Sequence, residues 1–496
     1  MEKLSIKKNL EKLTRADEQF VYFIAFLYAL STGEIGSVDL IKTGGETKYG
    51  KHSKGFQEVF RLGVGWSFGL SKSCETIALK ISNKKDQQKQ LLVKLAQVIR
   101  LGDEMKTFFK NELVASMNIY SSRYESNLES QKLFLEMFYT ISSTTSFMIA
   151  ANSIMAMLMG QTNSQGIFIT SLIGVIVSMS AFILIMYILF PRDTLIVGGG
   201  DMQKKFRMWL YVSLAMGSSL GLVLYILNAL PLPLIVVVSA APLFIPGIMA
   251  RKIEANALIL DTWYPSLIRH FGQIYATVGS MGQSLDAVLR SDFGPLEKHI
   301  VAFKNRIKNR IHPELAFDLF SQDSATNIIT SGNTIMAKAL QKGSDINDVG
   351  NQIAEMSSKF NDLRSKRRQT SATFETIMIV LHGLTMAIFG LMSKLTELFH
   401  NLLSTVPVSN QAITLSPMDP VFMHNMMPIV ILAMSVINGM AVKVGQGGFY
   451  KTVWFNIALF CVIGGITVYG TDAGLSQFLS TDFMNLTPGA NLPGQH

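Results

Sequence analysis

Seven apolar runs of about twenty residues, gathered in two groups, constrain this chain more than any other feature of it. A helix of that length matches the ~30 Å hydrocarbon thickness of a bilayer. Within a bilayer only helices and closed barrels can satisfy their own backbone groups. The first group is Phe138–Gly160, Ile167–Phe190, Met208–Asn228 and Pro231–Ala250; the second is Phe374–Met392, Val421–Val442 and Thr452–Gly470. Residues 1–137 and Arg251–Ser371 hold no such run. Phe20–Leu30 is about half the required length and is bracketed by Asp17, Glu18 and Glu34, which predicts a buried bundle helix. Met1–Arg15 is charged and amphipathic, without the apolar core or cleavage site of a signal peptide.

Composition agrees. Only 16% of the 496 residues are charged, against the ~25% usual for soluble domains. Mean hydropathy is +0.31. A net charge of +9 could suggest nucleic acid, but its distribution points elsewhere. Of 44 Lys and Arg, 21 lie in residues 1–137, four in 191–207 and sixteen in 251–371; the rest are Lys394, Lys443 and Lys451. Every connection on one side of the seven spans is basic, and the other side holds only Lys394. By the positive-inside rule this predicts a cytoplasmic N-terminus, two cytoplasmic domains and an extracytoplasmic C-terminus. Cys74 and Cys461 are too few for a disulfide framework or a four-Cys zinc site.

The fold expected is an all-α integral membrane protein, with about seven transmembrane helices plus two repeated cytoplasmic helical-bundle domains. The divisions are a helical domain over 1–137, four spans over 138–250, a second helical domain over 251–371, three spans over 372–470 and a tail over 471–496. The repeat is visible at a constant offset of 247, where Tyr28 meets Tyr275, Ala29 meets Ala276 and Asp39 meets Asp286. Each copy reads as a helix, a small Gly-containing turn and a second helix led by Ser and Asp, which suit a helix start. Gly102-Asp-Glu-Met and Gly343-Ser-Asp-Ile each open a long polar helix that runs into a span.

Domain, four spans, domain, three spans: this order resembles the platform proteins of type IV pilus-like machines, in which the type II secretion system F domain occurs twice. The archaeal branch, serving archaella and related pili, is the most similar, since bacterial members have fewer spans. The carriers are the turns at Gly33–Ser37 and Gly279–Ser284, the stretch Gly102–Phe109 and its Gly343 counterpart. The resemblance implies a non-enzymatic platform without cofactor. It would dock a cytoplasmic hexameric assembly ATPase, help move archaellin or pilin subunits from membrane to filament, contact membrane lipid, and it admits a homodimer.

The residues themselves give little chemistry. Gly36-Ser-Val-Asp-Leu-Ile-Lys42-Thr43 has Ile41 where a phosphate-cradling loop needs glycine, so a helix start is expected there. Gly198-Gly-Gly-Asp201 reads as a flexible connector. No HExxH or paired-His pattern supplies metal ligands. His382 is the one ionisable group deep in a predicted span, which makes it a functional suspect, although a neutral His bonded to a neighbouring helix is the plainer account. Gly217-x-x-x-Gly221 permits close packing of helices, within the chain or between copies.

Two basic clusters remain. Lys304, Arg306, Lys308 and Arg310 lie opposite an apolar stripe of Leu296, Ile300, Phe303, Ile307 and Ile311, which predicts a docking face for the partner ATPase. Arg364, Lys366, Arg367 and Arg368 immediately precede the fifth span, where contact with anionic headgroups is expected. Neither cluster is interleaved with aromatic residues, which speaks against nucleic acid. The rival reading, a transporter or channel with regulatory cytoplasmic domains, requires matched Gly/Pro breaks in repeated spans. Only the fourth span, with Pro242 and Pro246, has such a break.

Overall fold

A computed structural model describes residues 16–83, 86–158, 161–191, 193–198, 201–405 and 419–485. The expectations placed on 1–15, on 406–418 of the 393–420 loop, on Gly199 and Gly200 and on the tail beyond 485 lie outside those residues. The described chain is helical without strands, and one isolated antiparallel bridge joins Ile196 and Thr326. It divides into two compact units. A polar unit comprises Met1–Leu128, Pro191–Gly200 and Ile253–Arg367, and an apolar unit comprises Glu129–Phe190, Asp201–Lys252 and Arg368–His496.

The helices of the polar unit run in the same order twice. The first set is α1 (Glu18–Ser31), α2 (Ser37–Gly45), α3 (Lys51–Phe60), α4 (Leu70–Lys80), α5 (Gln87–Leu101) and the start of α6 (Met105–Leu158). After α7 (Gln161–Leu189), α8 (Asp201–Ile226) and α9 (Leu232–Ala240), the second set begins in α10 (Phe244–Val278). It continues with α11 (Met281–Val288), α12 (Glu297–Lys308), α13 (Pro313–Ser324), α14 (Asn327–Gln341) and α15 (Ile346–Thr405). α5 ends at Gly102, whose φ of +74° is accessible without strain only because it lacks a Cβ; Gly343, at +65°, does the same after α14. Each glycine thus stops one helix and lets a long one start, of 54 residues in α6 and 60 in α15.

Both sets bury their apolar faces in one core, which runs from Phe20 through Leu128 and from Leu260 through Leu363. α1 is the central element. Every side chain from Phe20 to Leu30 is buried, as expected of a helix apolar on all sides. Its N-terminus is capped by Asp17, whose carboxylate accepts from the Phe20 N–H at 3.2 Å. Phe360 of α15 packs against Tyr22 and edge-on against Tyr120, with centroids 5.1 and 5.0 Å apart. The Tyr28 hydroxyl donates to Asp348. In the second set the buried Asn333 accepts from the Tyr264 hydroxyl and donates to Ser321, both at 3.0 Å, so a polar group in the core is satisfied.

The apolar unit is completed by α16 (Pro420–Gln446) and α17 (Val453–Asn485). Among the described residues six helical stretches are long and apolar enough to cross a membrane: Gln165–Leu189, Lys204–Ile226, Leu232–Val278, Ile346–Asn401, Pro420–Gln446 and Tyr450–Gln477. The expected first span, Phe138–Gly160, is not among them. It forms the second half of α6, which leaves the described residues at Leu158, before the apolar stretch is complete. The fourth span is broken by a 3₁₀ turn at Ala241–Leu243, where Pro242 cannot continue the hydrogen-bond ladder. α15 and α17 outrun the apolar segments read from the sequence, because polar residues extend a helix without lengthening its apolar run. Close packing uses glycines: Gly439 meets Ile457, and Gly217 and Gly221 meet Ser239, so this GxxxG is occupied within the chain.

Candidate docking and coupling sites

The apolar stripe of α12 turns inward, with Leu296, Ile300 and Phe303 buried and Ile307 and Ile311 packed against the same core. That anchors the helix and leaves its basic face outward. There Lys304 and Lys308 both reach Asp286 of α11, at 3.1 and 3.4 Å, and hold its carboxyl below the usual range, chiefly through the hydrogen bond from Lys304. Arg306 pairs with Asp323 at 2.6 Å. Arg310 is exposed and sits in the left-handed region at φ +59°, in the turn between α12 and α13. These partners are short-range and solvated, so the pairs open at little cost.

The second cluster does not stay together. Lys366 and Arg368 are exposed, with Lys366 on Glu125 at 2.6 Å. Arg364 and Arg367 are buried, at 7% and 1% exposure, and this corrects the expectation that all four face lipid headgroups. The buried face of α15 runs through Phe360, Leu363, Arg364 and Arg367 at three- and four-residue spacing, and Lys366 and Arg368 fall to either side of it. The Arg364 guanidinium donates to Glu18 at 3.2 Å, to Asp261 at 3.3 Å and to the Thr194 carbonyl at 3.2 Å. Arg367 donates to Asp193 at 2.8 Å and to the carbonyl of Pro191. The Tyr124 hydroxyl donates to Asp193 at 3.0 Å, and Asn327 to Glu18 at 3.0 Å.

Three carboxylates therefore face two guanidinium groups away from water. Burial pushes the Glu18 carboxyl up to about 7; Arg364 draws it down, and the neighbouring Asp193 adds to the rise. The cluster also captures the part of the α7–α8 connection that precedes Gly198. Besides the two arginine contacts, the Val197 N–H donates to the Ala325 carbonyl and the Asn327 N–H to the Leu195 carbonyl, both at 3.0 Å. Leu195 is buried.

In the apolar unit His382 is wholly buried, and both ring nitrogens are engaged by neighbouring helices. Nε2 lies 3.0 Å from the Phe460 carbonyl and Nδ1 3.0 Å from the Asn438 amide nitrogen. If the ring is neutral, Nε2–H donates and Nδ1 accepts. The arrangement ties α15 to α16 and α17. Glu375, at one end of the same span, accepts from Arg251 at 3.3 Å and from Gln446 at 2.7 Å. Among the described residues no group of three His, Cys, Asp or Glu side chains is placed to hold a metal ion.

Flagella accessory protein J of Methanococcus voltae is 24% identical to this chain over 444 residues, covering 85% of the chain and 78% of that protein. Flagella accessory protein J of Methanocaldococcus jannaschii is 22% identical over 488 residues, covering 94% and 86%. The chain is a homologue of the flagella accessory J proteins. No family model matches it, so the F-domain reading of its two repeats rests on the sequence alone. No solved structure matches it either. Similarity to the J proteins runs through both units rather than one, and together with the six apolar helices it establishes a multi-pass membrane protein. What sequence reasoning missed is the set of acidic partners, Glu18, Asp193 and Asp261. The available signal was Asp261 itself, a lone charge next to Leu258, Ile259 and Leu260.

Proposed function

We propose that this chain is the non-enzymatic membrane platform of an archaellum or a related archaeal pilus. A cytoplasmic hexameric assembly ATPase docks on the polar unit. The platform helps move archaellin or pilin subunits from the membrane into the filament and, in an archaellum, passes on rotation. The observation that carries this reading is similarity to two flagella accessory J proteins along 85% and 94% of the chain. The distribution of Lys and Arg supports a cytoplasmic N-terminus and polar unit and an extracytoplasmic C-terminus. Shape changes of the motor reach the spans along α6 and α15, each an unbroken hydrogen-bonded helix supplying residues to both units.

The docking face in this reading is Lys304, Arg306, Lys308 and Arg310. Its weak pairs with Asp286 and Asp323 exchange readily for an acidic partner, and charges at an interface rim chiefly steer association. Lys366 and Arg368 are left to meet lipid headgroups. The test is Lys304→Glu with Lys308→Glu, against Lys366→Glu with Arg368→Glu as control. Arg367 cannot serve as a control, because its reversal would place a carboxylate in the buried cluster. The first pair should insert at normal level, lose co-purification with the ATPase and give no filaments. Full ATPase binding by the first pair, with loss in the second, would move the docking face to the other cluster.

A further inference from the structure

The segment from Pro191 to Gly198 leaves one apolar helix, α7, and leads to another, α8, yet it belongs to the polar unit. Its attachment is built from charged side chains withdrawn from solvent. Arg367 holds Asp193 and the Pro191 carbonyl, Arg364 holds the Thr194 carbonyl, and Tyr124 of α6 completes the shell of Asp193. Both arginines stand on α15, one turn apart. Backbone hydrogen bonds to Ala325 and Asn327 fix the same segment to the start of α14. A connector that served only to join two spans needs none of this. Burying guanidinium groups in ion pairs contributes little net stability compared with an apolar core, whereas removing one partner is costly. Such a site specifies one arrangement rather than adding bulk stability.

We propose that Arg364 and Arg367 form a clamp through which the polar unit grips the strap at 191–198 and, by chain connectivity alone, steers α7 and α8. Movement of α15 or α14 then acts on two further spans, beyond those that continue directly from the polar unit in α6, α10 and α15. The proposal rests on the reading of the chain as a motor-driven platform, and the two fail separately in the experiment below.

The variants are Asp193→Asn, which keeps shape and removes only the charge, Arg367→Ala, and the exchange of Arg367→Asp with Asp193→Arg. Hydrogen exchange is measured on purified full-length protein in detergent, in peptides covering 193–198 and 325–330. ATPase co-purification and filament assembly are scored in cells at matched expression. Asp193→Asn and Arg367→Ala should speed exchange of the Val197 and Asn327 amides by about tenfold or more, as expected when local opening loses a charged hydrogen bond. Their ATPase binding should remain and filaments should be lost, and the exchanged pair should restore at least part of both protection and assembly. Unchanged protection in Asp193→Asn, which should fold even where Arg367→Ala does not, overturns the clamp. So does normal filament assembly by a variant whose strap has lost protection. Failure of the unaltered chain to bind the ATPase counts against the platform reading and leaves the hydrogen-exchange result on the clamp intact.

Discussion

Replacing Arg364 by methionine keeps the apolar stem and removes the guanidinium that serves Glu18, Asp261 and the Thr194 carbonyl at 3.2, 3.3 and 3.2 Å. Breaking a buried ion pair by deleting one partner costs roughly 3–5 kcal/mol. For a domain of this size that is a drop of roughly 6–20 °C in the unfolding midpoint of the polar unit. The cost depends on pH. Glu18 already titrates at about 7 with Arg364 present, and losing the cation raises it further. A carboxyl whose pKa is raised by folding favours the fold when protonated, so its contribution is complete below about 4.5 and fades as pH rises through 7. In the variant that fading continues above 7, and because the unaltered protein itself loses part of the same contribution over this interval, the penalty should grow by up to about 1 kcal/mol between pH 7 and pH 8. Adding Glu18→Gln should abolish this growth. The assay is thermal unfolding of the full chain in detergent, followed by circular dichroism at pH 6, 7 and 8. A midpoint within ~2 °C of the unaltered protein, or an equal drop at pH 7 and pH 8, would refute the argument.

Two further outcomes are expected. Gly217→Ile should force α8 from α9, because a side chain there runs into the Ser239 carbonyl; cross-linking of cysteines placed on α8 and α9 should fall while Gly174→Ile, at a position with open space, leaves it unchanged. For topology, cysteines introduced at Lys308 and Asn410 should respond oppositely to an impermeant thiol reagent in intact cells, with 410 labelled and 308 shielded. Cys74 and Cys461 are buried and should give little background. Labelling at 308 but not at 410 inverts the orientation.

Much of this architecture was legible because it depends on local pattern. Apolar length predicts the spans, apolarity on all sides predicts a buried α1, and a glycine before a polar run predicts the starts of α6 and α15. The stripe of α12 was readable for the same reason. What could not be read is which apolar face meets which, so two polar stretches looked like two bundles and form one core. The buried cluster was hidden by distance along the chain. The partners of Arg364 and Arg367 lie 346, 103 and 174 positions away, while both residues sit in a basic run beside a span, where headgroup contact is the ordinary reading.

The shared core also sets a problem for the nascent chain. α1 is finished early, and α14, against which it packs, appears roughly 300 residues later, after four expected spans have entered the membrane. At a synthesis rate of ~5–20 residues per second, that is an interval of about 15–60 seconds. During it the side of α1 that awaits the second half of the core has no native partner, and that side is among the most apolar surfaces in the sequence. Ribosome-associated chaperones should therefore be captured on nascent chains that end between the first and second halves, and released once α14 has been made.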